Sequence, residues 1–268
     1  MISKLILTAI EYNCEEKMNK KRAAIILVFF LVLLSCETKP PEKAYKFVIT
    51  MFDLSESTAK KDIRTAYVNG FRKVMDSLNQ GDILVAACIT DKSIQQMQPV
   101  VDFKYPKFKP KTDNILLSQS EKKKFDEEVN LSKQEAIKNV EELLLGSDNR
   151  PKIIKTDIMS SLALAAVMMK RYSELRRILV VFSDMIEDSD NYNFERINLT
   201  DAVIDEIIEK EKKADRIPDL GGVEIYIIGP QAKNYDKYNS IKKFWSKYFK
   251  ESKANLVEYT GIFMGLKE

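Results

Sequence analysis

The sequence predicts a doubly wound α/β fold: a mostly parallel six-stranded sheet with helices on both faces. Two observations predict it. Short apolar runs such as Phe47–Phe52, Ile83–Ile89, Ile178–Phe182 and Val223–Ile228 lack the polar alternation of a half-exposed strand, and strands buried on both faces belong to parallel sheets. Between these runs lie stretches whose apolar residues recur every three or four positions, the spacing of helices that cover such a sheet. With 268 residues, 45% of them hydrophobic, the chain is long enough to bury a sizeable core within one large domain.

The first strand is expected over Tyr45–Phe52. A helix follows from about Lys60, with Ile63, Tyr67, Phe71, Val74 and Leu78 inward and Ser57 or Thr58 as its cap. Asn79-Gln-Gly-Asp82 is a turn, and Ile83–Thr90 is the second strand. Val100, Phe103 and Tyr105 suit an edge strand, because prolines at 99, 106 and 110 and lysines at 104, 107, 109 and 111 exclude a central one. Ser118 with Glu121 has the form of a capping box opening a helix to about Leu145, with Phe125, Val129, Ile137, Val140 and Leu144 inward. Further helices are expected over Asp157–Ser173, Leu199–Ala214 and Tyr238–Glu251, and further strands over Ile178–Phe182, Val223–Ile228 and Asn255–Tyr259. Trp245 and its aromatic neighbours recur at helical spacing and read as core.

Candidate chemistry sits at strand ends. Asp53, Ser55 and Ser57 occupy alternate positions after the first strand, Thr156 stands before a helix, and Ser183-Asp184 closes the third central run. Ligands of open α/β sheets bind at the carboxyl ends of strands, and small oxygen-bearing side chains there suit a hard cation. The structural alternative makes Ser57 a helix cap, lets Thr156 and Asp157 share another, and leaves Asp184 as a strand terminator. Glu56 is expected to face solvent, and Glu187, Asp188 and Asp190 to form a solvated loop.

D-x-S-x-S, then a lone Thr, then S-D after an apolar strand, is similar to the metal-ion-dependent adhesion site of von Willebrand factor type A domains. The resemblance spans about Tyr45 to Gly261 and rests on three motifs in order. It implies five parallel strands with one antiparallel edge strand. It also implies that Asp53, Ser55, Ser57 and Thr156 hold a divalent cation, with Asp184 behind them. Mg²⁺ is the expected ion, with Mn²⁺ or Ca²⁺ as alternatives. The stretch near 92–150 is longer than a minimal type A domain needs and is expected to be an insertion, built chiefly of a structural helix.

Composition excludes several chemistries. The chain has no His, which removes Ser-His-Asp and Cys-His pairs and His-containing zinc sites. At the N-terminus, Lys20, Lys21 and Arg22 precede the apolar run Ala23–Leu34, and Leu33-Leu-Ser-Cys36 resembles a bacterial lipobox. Residues 18–35 therefore read as a lipoprotein signal peptide, Cys36 as the lipidated residue and 36–44 as a tether, leaving 45–268 as the domain. Residues 1–17, carrying Glu11, Glu15 and Glu16, suit no signal n-region and read as an upstream extension. Cleavage before Cys36 takes Lys+Arg from 43 to 38 and Asp+Glu from 40 to 37, a near-neutral chain without a nucleic-acid footprint. Cys88 is then the one remaining thiol and reads as a small core residue.

These readings combine into a membrane-anchored, extracytoplasmic envelope lipoprotein. It binds a protein or cell-surface ligand through a cation that accepts the ligand's carboxylate, and is not an enzyme. One alternative is a metal-dependent phosphoesterase using Asp53 or an activated water, although an aspartyl nucleophile usually has a second Asp two positions on, where this chain has Ser55. The other is an envelope scaffold whose metal site is vestigial.

Overall fold

The computed structural model describes residues 44–89, 99–146 and 155–267. The signal peptide, Cys36, Thr90 and Asp91 lie outside the described residues. Six strands form one sheet: β1 (Lys46–Asp53), β2 (Ile83–Ile89), β3 (Val101–Lys104), β4 (Arg176–Phe182), β5 (Val223–Ile228) and β6 (Asn255–Thr260). Their order is β3-β2-β1-β4-β5-β6. All neighbours run parallel except β3, which pairs antiparallel with β2 at the edge. The sheet grows outward from β1 and β4 in opposite directions. The crevice above their carboxyl ends is therefore the topological switch point, where this architecture opens a ligand site.

Five helices cover the faces: α1 (Lys61–Asp76), α2 (Ile115–Leu145), α3 (Ile158–Lys170), α4 (Asp201–Lys213) and α5 (Tyr235–Glu251). One core places Phe52, Phe71, Val74 and Phe182 with Val129 and Val140 of α2. The other packs Met51, Val181 and Ile227 with Leu162, Ile208 and Trp245. Trp245 is fully buried, as its helical spacing predicts. Gly70 fixes how closely α1 lies on the sheet, because a Cβ there would stand 2.5 Å from Cε1 of Phe182.

Three local expectations are corrected. The N-cap of α1 is Lys60, with no side-chain cap bond. The Thr58 hydroxyl donates instead to the carbonyls of Asp53 (2.9 Å) and Ser55 (3.1 Å), closing the loop on itself. The long helix opens at Asn114, whose Oδ1 accepts from Leu116 N and Leu117 N. This Asx cap lies four residues upstream of Ser118, which falls inside the helix, and Glu121 accepts from Lys111 N. Cys88 is half-buried rather than deep in the core, since it sits near the end of its strand. The helix in the 92–150 stretch packs on the sheet side of the molecule through α1, as a structural helix does. Among the described residues no helix is long and apolar enough to cross a membrane.

Candidate metal centre

Strand β1 delivers Asp53 to the switch point. Phe52 pairs in register with Phe182 of β4, so the residues that follow, Asp53 and Ser183, meet across the crevice. Ser183 Oγ donates to Asp53 Oδ2 at 2.7 Å, and the Met185 amide donates to Ser183 Oγ at 2.9 Å. The other carboxylate oxygen, Oδ1, accepts from Ser55 N at 2.8 Å. Both oxygens of Asp53 are thus held, and the residue is fully buried.

The same turn places Ser55 Oγ 3.0 Å from Ser57 Oγ. Ser55 is buried, while Ser57 and Glu56 are exposed, so the cluster has one wall in the protein and one open to solvent. Asp184, 5% exposed, receives the Ile186 amide on Oδ1 at 2.9 Å and a hydrogen bond from Ser57. The structure therefore brings Asp53, Ser55, Ser57 and Asp184 together. Ser57 is no helix cap, and Asp184 does more than end a strand.

The electrostatics of this cluster are unbalanced. Burial raises the pKa of Asp53, against hydrogen bonds from Ser55 and Ser183. Burial first, and then the charge of Asp53, push Asp184 up to about 7. Neither has an ion-pair partner among the described residues. Arg64 acts on Asp53 through its charge, with its guanidinium donating to the Leu54 and Leu144 carbonyls at 3.3 and 3.2 Å. Tyr67 lies behind the pair; its buried hydroxyl lacks a hydrogen bond, and burial plus the charges of Asp53 and Asp184 raise its pKa. Desolvated carboxylates without a cation are costly, and an all-oxygen donor set is the chemistry a hard divalent ion takes. The residues fit such an ion. No group of three or more Asp, Glu, Cys or His occurs among the described residues, so hydroxyls have to supply the rest of any coordination sphere here.

Thr156 comes from a separate loop, buried at 3% exposure. Its amide donates to the Asp188 carbonyl at 2.8 Å, and the Asp188 amide returns a bond to its carbonyl at 3.0 Å. This two-bond bridge ties the Thr156 loop to the loop that follows Asp184. Asp157, without Thr156, is the N-cap of α3, its Oδ1 accepting from Ser160 N at 2.9 Å.

The expected solvated loop of Glu187, Asp188 and Asp190 is also corrected. Only Asp190 is exposed; Asp188 makes the bridge, and Glu187 is fully buried. Glu187 Oε2 accepts from Ile158 N (2.9 Å) and Met159 N (3.2 Å), placing a carboxylate on the first turn of α3, where the helix dipole favours it. Burial and the charge of Asp157 nevertheless push its pKa up to about 8. The inward fold of this loop had one sequence signal, its apolar Met185 and Tyr192, both buried.

No family model matches the sequence, and no curated protein does. Solved structures similar to the chain include a von Willebrand factor type A protein from Catenulispora acidiphila (11% identity, 84% of this chain and 39% of that one, TM-score 0.40). Another is proximal thread matrix protein 1 from the mussel byssus with a zinc-occupied MIDAS motif (11%, 82% and 42%, TM-score 0.41). A third is manganese-loaded TRAP protein from Plasmodium vivax (11%, 82% and 69%, TM-score 0.43). The chain spans less than half the length of the first two. Its own strand order, its antiparallel edge strand and the meeting of Asp53 with Ser183 above β1 and β4 give it the doubly wound, mostly parallel α/β fold that the resemblance of its motifs to von Willebrand factor type A domains implies.

Proposed function

We propose that the crevice above β1 and β4 holds a divalent cation and presents it to a carboxylate of a protein or cell-surface ligand. Asp53, Ser55, Ser57 and Thr156 are the residues to hold it, with Asp184 alongside. One observation carries this reading: Asp53 and Asp184 are both buried in a cluster otherwise made of hydroxyls, and the charge of Asp53 disfavours that of Asp184. A hard cation bound there supplies an electrophilic coordination position that a partner's Asp or Glu can complete. The chain's own part is to hold its oxygens in place through Ser183, Thr58 and the amides of Ser55 and Ile186.

The sequence supports an envelope location for this binding surface. Residues 20–36 have the charged, apolar and lipobox regions of a lipoprotein signal, so the domain sits outside the cytoplasmic membrane, tethered through lipid on Cys36. Mg²⁺ is the proposed ion, on the preference of compact carboxylate-hydroxyl sites that retain water.

Isothermal titration of the metal-free protein with Mg²⁺ and Mn²⁺ tests the proposal. Saturable heat that Asp53→Ala abolishes is the expected result. Heat that survives Asp53→Ala, or none at all, overturns it. Mass spectrometry of the mature chain, expected to show diacylglyceryl-modified Cys36 at the N-terminus, tests the anchor separately.

A further inference from the structure

Away from the sheet edge, a groove of about 450 Å³ runs beside α3. The helix contributes Met159, Ala163, Ala166, Val167 and Lys170 to it, a stripe from first turn to last that extends roughly 16 Å at the α-helical rise. Ile217 and Pro218 add apolar surface from the segment after α4.

Carboxylates are spread along this apolar strip instead of converging. Asp157 and Glu187 stand at the start of α3, Glu211 comes from α4, and Asp215 and Asp219 follow it. Asp219 feels the charge of Lys170, on the last turn of α3, and forms an exposed pair with Lys253 at 3.5 Å. Five carboxylates thus face two basic residues of the lining, Lys170 and Arg216. Arg216 is already forked onto Glu211 at 2.8 and 2.6 Å, and Tyr192 also donates to Glu211 at 2.5 Å. Among the described residues, Asp157 and Asp215 form no ion pair, so acidic charge remains on the strip while Asp219 is offset by Lys170 and Lys253.

A second observation points to a ligand. Glu187 is fully buried, and while its Oε2 takes two amides, its Oε1 has no hydrogen-bond partner. Leaving a buried carboxylate oxygen unbonded carries a penalty that a donor removes. A slim cationic donor fits better than a metal ion, because an ion needs several oxygens around one point and these lie along a line.

We propose that the groove binds a linear aliphatic polyamine. One primary ammonium would sit on Glu187 Oε1 beside Asp157, the methylenes would lie along Ala163 and Val167, and a further ammonium would reach Asp215 and Asp219. This site is separate from the crevice above β1 and β4 and does not depend on the cation proposed there.

The test is titration calorimetry of the full chain with spermidine, at physiological ionic strength and with chelator present. Saturable one-to-one binding is expected, tighter than that of putrescine, which is too short to span both ends. Glu187→Gln keeps an acceptor for the two amides but cannot ionise to meet an ammonium, and should weaken binding about tenfold or more. Val167→Trp fills the groove from a half-exposed position and should abolish binding while leaving the circular dichroism spectrum intact. Should Glu187→Gln fail to fold, Val167→Trp decides alone. Heat that does not saturate, heat unchanged by Val167→Trp, equal competition by octane-1,8-diol, or displacement by Mg²⁺ at constant ionic strength overturns the proposal.

Discussion

Ser183 Oγ donates to Asp53 Oδ2 at 2.7 Å, joining the ends of β4 and β1 across 130 residues of sequence. The same hydroxyl accepts the Met185 amide, so one small side chain fixes both the first carboxylate and the start of the loop carrying Asp184. Ser183→Ala leaves a buried carboxylate oxygen and a buried amide each short of a partner. It is expected to cost about 1–3 kcal/mol in urea unfolding of the metal-free protein and to weaken cation binding. Unchanged cation affinity would show that Asp53 is placed by its own loop alone.

Burial and the charge of Asp53 disfavour Asp184 as an anion, pushing it up to about 7. Without a cation, Asp184→Asn should raise stability at pH 8 on the order of a few kcal/mol. The same change should shrink the rise in Tm that Mg²⁺ brings to the native chain. Differential scanning calorimetry with and without Mg²⁺ measures both; a variant less stable in chelator would show that the charge is compensated.

Glu187 gives a separate pH signature. Its carboxyl holds its proton more tightly folded, up to about 8, than at its ordinary 4.5. Its contribution is therefore fully present below about 4.5 and is lost as pH rises through about 8. Chemical unfolding between pH 5 and 8 should show stability falling across this window, with a flatter profile in Glu187→Gln. Identical slopes in the two proteins would remove Glu187 as the source.

Trp245 reaches the site from the opposite direction. Its Nε1 donates to the Met185 carbonyl at 2.8 Å, and Met185 itself holds a positive φ of 65°, a strained conformation for a side chain of that kind. Trp245→Phe keeps most of the apolar bulk and removes this bond. A loss of about 1–2 kcal/mol in thermal unfolding is expected, together with weaker cation binding because the residue after Asp184 is released. A stability loss with full cation affinity would separate the two roles.

Much of the fold was legible along the chain. Val223–Ile228 is a strand over the residues its composition marks, and the helix of Tyr67, Phe71 and Val74 buries those positions. Runs buried on both faces and stripes at helical spacing are local patterns, readable because burial selects residue type position by position. Helix starts were less legible. Asn114 displaced Ser118 as a cap, and Thr58 turned inward to bond Asp53 and Ser55, because several Ser, Thr and Asn residues compete for the same amides and only chain geometry chooses among them.

The sequence by itself determined the sheet's character and brought forward Asp53, Ser55, Ser57 and Asp184 as oxygen donors at strand ends. Tertiary structure alone decided that β1 and β4 are neighbours, that Ser183 grips Asp53, and that Glu187 lies buried under α3 instead of in water. The physical reason is range. Side-chain type and spacing report burial and periodicity over a few residues, whereas desolvation and hydrogen bonding between groups 130 positions apart exist only once the strands have paired.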